Sequence, residues 1–494
     1  MRIMPYTTTR RRRAGLLAGA SLLSLTALIV PLASASASTY PSDTIKPDIV
    51  PALSGYRALW QPSGDNDLHG TVLKAGTLQR NDQLTSWINQ HATGSQQFRA
   101  LQNSAYLAGD GSGYDQSISI ADGLGKRLGS FYVKGRIDGS LPLTSALVNS
   151  STGSAGAYVS TSAAKAAFSH PRPFLPADPD AAPVPGDAAG CAPSAVNGSS
   201  LAGNRKGKPW ADSAGNLKIT RVPATTDTTH EFAKTDVALD PAYGQVALCT
   251  GGSYPSGHTA TAYQAGITLA TLLPELAPQI LARSSEAANN RIVLGVHYPL
   301  DIIGGRMTGE IAVASRWSDS KFRSSVLAPA RKELVSYLTK QCKTVLHIST
   351  LSKCVAADTP YANNPYGGGK LPGGGAQIVT NRRSALTVYT ERLGYGFQPI
   401  SSIKRKASVP AGAESLLRTA YPSLTAAQRR QILAQTEVAS GHPLDTTAAH
   451  AAYSVVPGSW QRLNLAAAMS AKVKVSKSGK VKVLSTGGKA TIVR

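Results

Sequence analysis

The middle of the chain contains the stretch GSYPSGHTATAYQAGITLATLL at residues 252–273, in which a Pro-Ser-Gly turn opens a helical pattern. A turn that starts a helix presents unpaired backbone N–H groups at the positive end of the helix dipole, and both features favour an anion. Gly257 permits close backbone approach, Ser256 adds a hydroxyl donor, and His258 is placed to donate a proton. The stretch predicts an anion-binding turn; a serine N-cap beside an incidental histidine is the alternative.

Two further helical patterns follow, one from about Pro278 to Leu294 and one from Pro299 onward. The sequence RIVLGVHYPLD joins them and places His297 and Asp301 four residues apart, with a proline able to start a helix between them. This spacing lets the carboxylate accept a hydrogen bond from imidazole Nδ1–H, which leaves Nε2 as a nucleophile. A buried His–Asp pair that only fixes a helix start is the alternative.

Three basic side chains accompany these motifs. Lys165 is followed seven positions later by Arg172, and Arg291 begins the segment that contains the His–Asp pair. Alone, a Lys–Arg pair at this spacing is typical of a solvated helix face. Together with the helix terminus, the three cations match a phosphate monoester of charge about −2, because an arginine fork binds two phosphate oxygens at once.

The predicted site requires no metal ion. Outside this set the sequence shows no carboxylates and histidines clustered at metal-ligand spacing. The chain has nine histidines, and the seven outside the two motifs, among them His69, His347 and His442, have no evident partner in sequence. We expect those seven at the surface.

The order Lys-x6-Arg-Pro, Pro-Ser-Gly-His, Arg-x5-His-x3-Asp resembles the type 2 phosphatidic acid phosphatase superfamily, which includes bacterial class A acid phosphatases, lipid phosphatases and vanadium haloperoxidases. Residues 252–259 are most similar to the class A acid phosphatase signature. The resemblance covers roughly residues 75–320 and implies an all-α helical bundle. It also implies a secreted, metal-independent acid phosphatase that hydrolyses small phosphate monoesters without a cofactor.

The resemblance assigns a role to each motif residue. His297 attacks phosphorus to give a phosphohistidine, His258 protonates the leaving alcohol and later activates water, and Asp301 orients His297. Because His258 must be protonated while His297 is neutral, we expect a bell-shaped pH dependence and an acidic working range. The phosphoryl oxygens are held by Lys165, Arg172, Ser256, Gly257 and Arg291.

The sequence departs from the family pattern at two places. Asn290 stands where the family usually has a serine before the third-motif arginine, which removes an expected supporting hydrogen bond. The interval from Pro173 to Pro255 is longer than usual, and we interpret residues 174–250 as a loop insert at the site entrance. Its basic run is an ordinary solvated loop or a contact for extended substrates, through Arg205, Lys206 and Lys208.

Four cysteines, an even number, favour two disulfides in an exported chain. Nearness in sequence pairs Cys342 with Cys354 and Cys191 with Cys249, and other pairings stay open. No pair has the C-x-x-C spacing of a zinc or redox site, so structural bridges are favoured. A bridge from Cys191 to Cys249 would tether the insert beside the catalytic turn.

The N-terminus is typical of an export signal. Residues 1–13 hold five arginines and no acid, an apolar stretch from Ala14 to Ala33 follows, and the sequence up to Ala37 offers a signal-peptidase site. We predict a signal peptide over residues 1–37 and a secreted or periplasmic protein, with the Sec and Tat routes both open. An uncleaved membrane anchor is the alternative.

Composition divides the rest of the chain into three parts. We predict a catalytic all-α domain over residues 38–360, a glycine-rich linker over residues 361–376, and a C-terminal accessory region over residues 377–494. The accessory region is all-helical or α+β.

Two local patterns support structure in the accessory region. Thr425 and Gln428 form a capping-box pattern before a helix that reaches Gln435. Lys-Val-Lys-Val occurs at residues 472–475 and again at 480–483, which predicts a small β-hairpin with lysines on one face.

The formal net charge of +23 is concentrated at the two ends of the chain. Five positive charges belong to the predicted signal, and seven more, with no acid among them, lie in the last 23 residues. Three of the remaining cations are assigned to one phosphate, so the basicity does not indicate nucleic acid. The basic tail predicts either solubility or contact with an anionic cell surface, and the sequence does not indicate an oligomeric state.

Three functions compete with an acid phosphatase. A vanadium-dependent haloperoxidase would bind vanadate as cofactor, whereas vanadate would inhibit a phosphatase; Tyr254 before the Pro-Ser-Gly turn favours the phosphatase. Membrane lipid phosphatases carry their sites between membrane-spanning helices, and beyond the N-terminus this sequence has no uninterrupted apolar run of about 18 residues. The third is a vestigial site in an envelope-binding protein.

Overall fold

Helices make up most of the part of the chain that the structure, a computed structural model, describes: residues 40–105, 115–447 and 458–493. The predicted signal peptide lies outside these residues. The N-terminal part contains two short strands and eight helices: α1 (Pro41–Thr44), α2 (Val50–Leu53), β1 (Trp60–Pro62), β2 (Gly70–Val72), α3 (Ala75–His91), α4 (Gly94–Ser104), α5 (Gln116–Ser119), α6 (Lys126–Ile137), α7 (Pro142–Val148) and α8 (Ser162–Phe168).

The insert and the segment after it continue the helical architecture. The insert contains α9 (Ser199–Arg205), β3 (Thr225–Asp227), β4 (Val237–Leu239) and α10 (Val246–Cys249). After it come α11 (Gly257–Leu272), α12 (Ala277–Val293), α13 (Pro299–Ser318), α14 (Ser320–Phe322), α15 (Ala328–Val345) and α16 (Leu351–Ala357). The C-terminal region contains α17 (Arg382–Arg392), α18 (Ala426–Thr436), α19 (Leu465–Ala468), β5 (Lys472–Val475), β6 (Val481–Ser485) and β7 (Thr491–Val493).

Helices α11, α12 and α13 form the centre of the bundle, and their bounds confirm the three helices predicted from the sequence. Every residue of α12 is buried, and α11 is buried on all sides from Ala262 onward, as expected of helices that form a core. Pro274 follows the end of α11, and Gly295, at φ +67°, turns the chain after α12. Local stop signals therefore set these bounds.

Glycines on α13 let α11 approach closely. A Cβ on Gly309 would lie 2.5 Å from Tyr263 Cβ, and one on Gly305 would lie 2.6 Å from the carbonyl oxygen of Ser256. Real Cβ atoms do not come so near, so these two positions exclude any side chain. The close crossing brings the start of α11 against the first turns of α13.

An internal disulfide and a small core that includes Leu68, from outside the insert, stabilise the insert. Cys191 is bonded to Cys249 across 58 positions, and the bridge packs with Leu68, Leu175 and Val196. The second predicted pair, Cys342 with Cys354, is also formed. Both pairings favoured by nearness in sequence are therefore present.

The predicted linker at residues 361–376 is wrong. Tyr366 and Leu371 in this segment are buried, and Tyr366 Oη accepts a hydrogen bond of 2.6 Å from Asn289 Nδ2 on α12. Residues 40–494 cluster as one unit, and helix α17 packs on α12. The glycines in this segment form tight turns between packed aromatic residues. Composition alone cannot distinguish such turns from a flexible linker.

The accessory region is α+β. Helix α18 begins with the predicted capping box of Thr425 and Gln428, and β5 pairs antiparallel with β6 as the predicted hairpin. The sequence analysis missed β7, which adds to β5 in parallel. Val473 and Val481 are buried under this sheet, whereas the lysines of the hairpin are exposed.

Within the described residues, no single helix has the length and hydropathy of a membrane span. The segments Gly257–Leu272 and Pro274–Val293 reach those values only when taken together, and they are bent by 116° relative to each other.

We predict that Gly309→Ala destabilises the protein by about 1–3 kcal/mol, because the added methyl group overpacks the crossing of α11 and α13. Gly203→Ala is the matched control: it lies in α9, nothing lies within 4 Å of its Cβ, and alanine favours a helix. Thermal unfolding of the two variants measures the difference. An unchanged midpoint for Gly309→Ala would contradict the close crossing.

Candidate active site

The three sequence motifs meet where the first turns of α11 and α13 come together. Lys165 lies in the last turn of α8, Arg172 lies a few residues beyond it, and Arg291 lies in the last turn of α12. The structure brings together all eight predicted site residues: Lys165, Arg172, Ser256, Gly257, His258, Arg291, His297 and Asp301.

The first motif is fixed by the loop that precedes α11. Ser169 adopts a left-handed conformation, at φ +44°, that ends α8 and turns the chain back. Lys165 Nζ donates to the carbonyl oxygen of Gly252, and Arg172 Nε donates to that of Gly251 at 2.9 Å. Arg172 Nη1 donates to the carbonyl oxygen of Val296 at 3.0 Å. Backbone carbonyls thus hold both cations in place.

The second motif is a capped helix start. Ser256 is the N-cap of α11, and its Oγ accepts from the backbone N–H of Thr259 at 3.3 Å, which leaves the hydroxyl proton available to a ligand. The N–H of Ser256 donates to the carbonyl oxygen of Asp301 at 3.1 Å. A Cβ on Gly257 would lie 3.1 Å from Thr161 Oγ1, so this turn is closely packed on one side.

The third motif holds an imidazole at both nitrogens. His297 Nδ1 lies 3.1 Å from Asp301 Oδ2, and its Nε2 lies 3.1 Å from Arg172 Nη1. Because a guanidinium only donates, Nε2 must carry the lone pair and Nδ1 the proton. Asp301 Oδ2 also accepts from the backbone N–H of Tyr298 at 2.9 Å. The ring is therefore held as a neutral tautomer whose Nε2 faces the cations.

His258 and Arg291 share a partner at the end of α4. His258 Nε2 lies 3.1 Å from the carbonyl oxygen of Ser104, and Arg291 Nη1 donates to Ser104 Oγ at 2.5 Å. A carbonyl only accepts, so Nε2 of His258 carries a proton there. A proton exchanged with a bound group would therefore pass through the other ring nitrogen, Nδ1.

Asn290 supports the same helix end. Its Nδ2 donates to Asn103 Oδ1 at 2.9 Å, next to Ser104. Asn103 Oδ1 also accepts from Arg283 Nη1 at 3.1 Å. The residue that departs from the family pattern therefore retains a supporting role through a different hydrogen bond.

Burial and mutual repulsion shift the ionisation of the cluster. Burial and the charge of Arg291 lower the pKa of Arg172 to about 9. Burial and the charge of Arg172 hold the pKa of His297 well below its ordinary value, and burial and Arg291 do the same for His258. Burial raises the pKa of Asp301 above that of a solvated carboxyl. Without a ligand, both shifts favour the neutral imidazoles, and an arriving anion would raise their pKa values.

The sequence analysis missed a buried histidine that supports Asp301. His170, expected at the surface with the other histidines, is buried, and burial and Arg205 lower its pKa to about 3. Its Nδ1 lies 3.1 Å from Ser253 Oγ, which lies 3.4 Å from Asp301 Oδ1. The carboxylate accepts, so Ser253 donates to it and accepts from His170. The position of His170 inside the His-Pro-Arg-Pro segment was the available signal.

Arg205 does not lie in a solvated loop or against substrate. Its side chain is fully buried and forms a two-bond pair with Asp82 on α3, at 3.1 Å for each bond. Its Nη2 also donates to Tyr298 Oη at 2.7 Å. Lys206 is exposed, as expected of a solvated loop. Arg205 therefore anchors the insert to the residue that follows His297.

This arrangement can bind a tetrahedral dianion and attack it. The cations and the start of α11 supply donors on several sides, and His297 supplies a neutral nitrogen oriented by a carboxylate. His258 is held in place by its hydrogen bond to Ser104, and from this position it can donate a proton to a bound group or accept one. Such a set suits transfer of a phosphoryl group to nitrogen.

Residues 146–324, which contain the site, match the family model of the PAP2 superfamily. Its mostly helical fold agrees with the all-α bundle predicted from the sequence.

Curated relatives match part of the same chain. An acid phosphatase from Zymomonas mobilis subsp. mobilis is 35% identical over 103 residues, which cover 21% of this chain and 39% of the relative. A non-specific acid phosphatase from Providencia stuartii is 34% identical over 95 residues, which cover 19% of this chain and 38% of the relative. One from Salmonella typhi is 36% identical over 83 residues, covering 17% and 33%. The chain thus spans about two fifths or less of the length of these relatives.

We predict that Arg205→Met destabilises the protein by about 3–5 kcal/mol, because it leaves Asp82 buried without its partner. The double variant Arg205→Met/Asp82→Leu should recover most of that loss, since no charge is then left buried. Lys206→Met, next in sequence and exposed, is the control and should change stability little. Denaturant unfolding of the wild type and these three variants measures the changes in stability. Equal effects of Arg205→Met and Lys206→Met would refute the buried pair.

Proposed function

We propose that this protein is a phosphatase that hydrolyses small phosphate monoesters through a covalent intermediate on His297. The observation that carries the proposal is the neutral imidazole held between Asp301 and Arg172, with Nε2 facing the cations. The PAP2 match and the relatives named acid phosphatases support it.

Binding would place the dianion among the three cations and the first turn of α11. Arg172 would transfer its hydrogen bond from His297 Nε2 to a phosphoryl oxygen, which frees the nitrogen lone pair. The hydroxyl proton of Ser256 and the N–H groups of the turn would bind other oxygens. The bound negative charge offsets the cations and raises the pKa of both imidazoles.

Attack forms a bond from His297 Nε2 to phosphorus as the bond to the leaving oxygen breaks. Asp301 stabilises the positive charge that develops on the ring through its Nδ1–H contact. His258, protonated at Nδ1 after substrate binds, donates that proton to the leaving oxygen. The products of this step are a free alcohol and a phosphohistidine.

Hydrolysis reverses the proton transfer. His258, now neutral, takes a proton from water, whose oxygen bonds to phosphorus while the bond to Nε2 breaks. Inorganic phosphate then leaves the cations, and the enzyme returns to its starting state. We propose that no metal ion takes part, since cations and backbone donors already face the phosphoryl group; retention of activity in a chelator tests this directly.

The proposal places the protein in the periplasm or outside the cell. Two disulfides suit an oxidising compartment, and an export signal is predicted at residues 1–37. Vanadate is proposed as an inhibitor of the site because it mimics the phosphoryl transition state. The role of the exposed C-terminal lysines at an anionic cell surface stays a prediction.

We predict that His297→Ala lowers kcat by about 10³-fold or more and abolishes trapping of a labelled phosphoenzyme. Wild-type activity equal to that of the variant would exclude the phosphatase and favour a vestigial site. Peroxide-dependent halogenation with added vanadate, in place of ester hydrolysis, would favour the haloperoxidase.

We predict that the effect of His258→Ala depends on the leaving group. The loss of kcat should be about 10²–10⁴-fold for an alkyl phosphate, whose leaving oxygen needs a proton, and much smaller for 4-nitrophenyl phosphate. His297→Ala should impair both substrates alike and is the matched control. Equal losses of kcat for the two substrates in His258→Ala would contradict the acid role.

We predict a bell-shaped pH dependence of kcat with its maximum below the ordinary histidine pKa of about 6.5. Activity is lost at low pH when His297 is protonated and at high pH when His258 is deprotonated. Because burial and Arg291 lower the pKa of His258, Arg291→Gln should move the alkaline limb to higher pH, whatever its effect on the maximal rate. A pH-independent kcat, or an unmoved limb, would contradict these assignments.

A further inference from the structure

A cavity of about 530 Å³ lies beyond the C-terminal end of α13, between the start of α15 and the accessory region. Three arginines line it: Arg323, Arg331 and Arg418. Its other walls combine the hydroxyl of Thr419 with the apolar side chains of Leu327 and Pro422.

The three arginines have no acidic partner in the described part of the chain. No carboxylate oxygen there lies within 4.0 Å of any of the three guanidinium groups. Arg323 Nη1 donates to the carbonyl oxygen of Trp317 at 2.5 Å, which fixes its position. Burial and the charge of Arg418 lower the pKa of Arg323. Asp319 offsets part of this charge by raising the pKa of Arg323, but it forms no ion pair with any of the three arginines.

The nearby acids are already engaged elsewhere. Asp319 accepts from the N–H of Ser42 at 3.0 Å and caps α14 through the N–H of Phe322. Glu333 accepts from the N–H and hydroxyl of Thr144 on α7, each at 2.7 Å. Neither carboxylate can turn to the cavity without losing these bonds.

Two polar atoms at the cavity also lack partners. Arg331 Nε and Thr419 Oγ1 are both buried from solvent, and neither has a hydrogen-bond partner among the described residues. Buried polar atoms without partners are costly, and a ligand in the cavity would supply the missing partners. This observation is independent of the charge of the arginines.

The backbone is also irregular here. Residues Arg323–Leu327 form a π-helical turn between α14 and α15, and both ends of that turn line the cavity. Such turns are frequently found at functional sites.

We propose that this cavity is a second anion site, which binds a phosphoryl dianion attached to an apolar organic group. Arginine forks match two oxygens of a phosphoryl group, and Leu327 and Pro422 face the organic part. A soluble phosphorylated molecule and a lipid with a phosphate monoester head group share this chemistry.

The second site is distinct from the catalytic one. Helix α13, which separates them, has 20 residues and spans about 30 Å at 1.5 Å per residue. His297 precedes its first residue, and Arg323 follows its last. The second site takes no part in the proposed chemistry, so it stands or falls independently of the phosphatase.

Phenylphosphonate is a suitable probe because its phosphorus is bonded to carbon instead of to an ester oxygen. The proposed phosphatase therefore cannot hydrolyse it. Calorimetric titration of the wild-type chain should show two binding events. Arg331→Gln/Arg418→Gln should weaken one event at least tenfold and leave the competitive inhibition constant at the catalytic site unchanged. Arg172→Gln should weaken the other event. Lys340→Gln/Lys343→Gln removes the same charge from exposed positions of α15 and should change neither.

Unchanged affinity in the double arginine variant overturns the proposal, whether the wild-type chain shows one binding event or two. Equal losses of affinity in the arginine and lysine variants also overturn it, because general charge would then explain the binding. Vesicles that contain phosphatidic acid distinguish the two sources. Arginine-dependent binding of vesicles and phenylphosphonate assigns a lipid head group, and arginine-dependent binding of phenylphosphonate alone assigns a soluble ligand.

Discussion

Asp301 is the carboxylate on which the buried candidate site depends. Its side chain accepts from His297 and from the N–H of Tyr298, and its carbonyl oxygen accepts from Ser256, so one residue joins the second motif to the third. Its charge also raises the pKa values of Lys165 and Arg172, which burial and mutual repulsion lower. Without this carboxylate, buried cations would face one another with little compensation, and burying uncompensated charge is strongly unfavourable.

The rest of the fold holds Asp301 in that position. It lies in the first turn of α13, where its side chain completes a capping box at Tyr298, and Tyr298 Oη is held in turn by Arg205 of the insert. Further along α13, Arg306 Nη2 donates to the carbonyl oxygen of Gln461 in the accessory region, at 2.7 Å. The insert and the C-terminal region thus both contact the helix that carries the essential carboxylate. Both regions can therefore support the geometry of the site without binding substrate.

The central helices and the spacing within the candidate site motifs could be predicted because their signals are local. A proline, a glycine or a serine cap ends or begins each of α11, α12 and α13, and His297 and Asp301 lie one helical turn apart. The supporting contacts could not be predicted, since they join distant positions: Arg205 lies 123 residues from Asp82, and His170 lies 83 residues from Ser253. The packing of residues 361–376 could not be predicted for the same reason, because Tyr366 contacts Asn289, which lies 77 positions earlier.

Helix α13 also explains why positive charge accumulates in different ways at its two ends. At its N-terminus the helix dipole favours an anion, and Asp301 occupies the first turn. A cation would be unfavourable there, and the cations of the candidate site lie on other elements. At its C-terminus the dipole favours cations, and both Arg316 in the last turn and Arg323, on the carbonyl oxygen of Trp317, use it. Arg316 is paired with Asp43, whereas Arg323 faces the cavity. The helix dipole thus helps to stabilise Arg323 at the cavity, where no carboxylate among the described residues forms an ion pair with it.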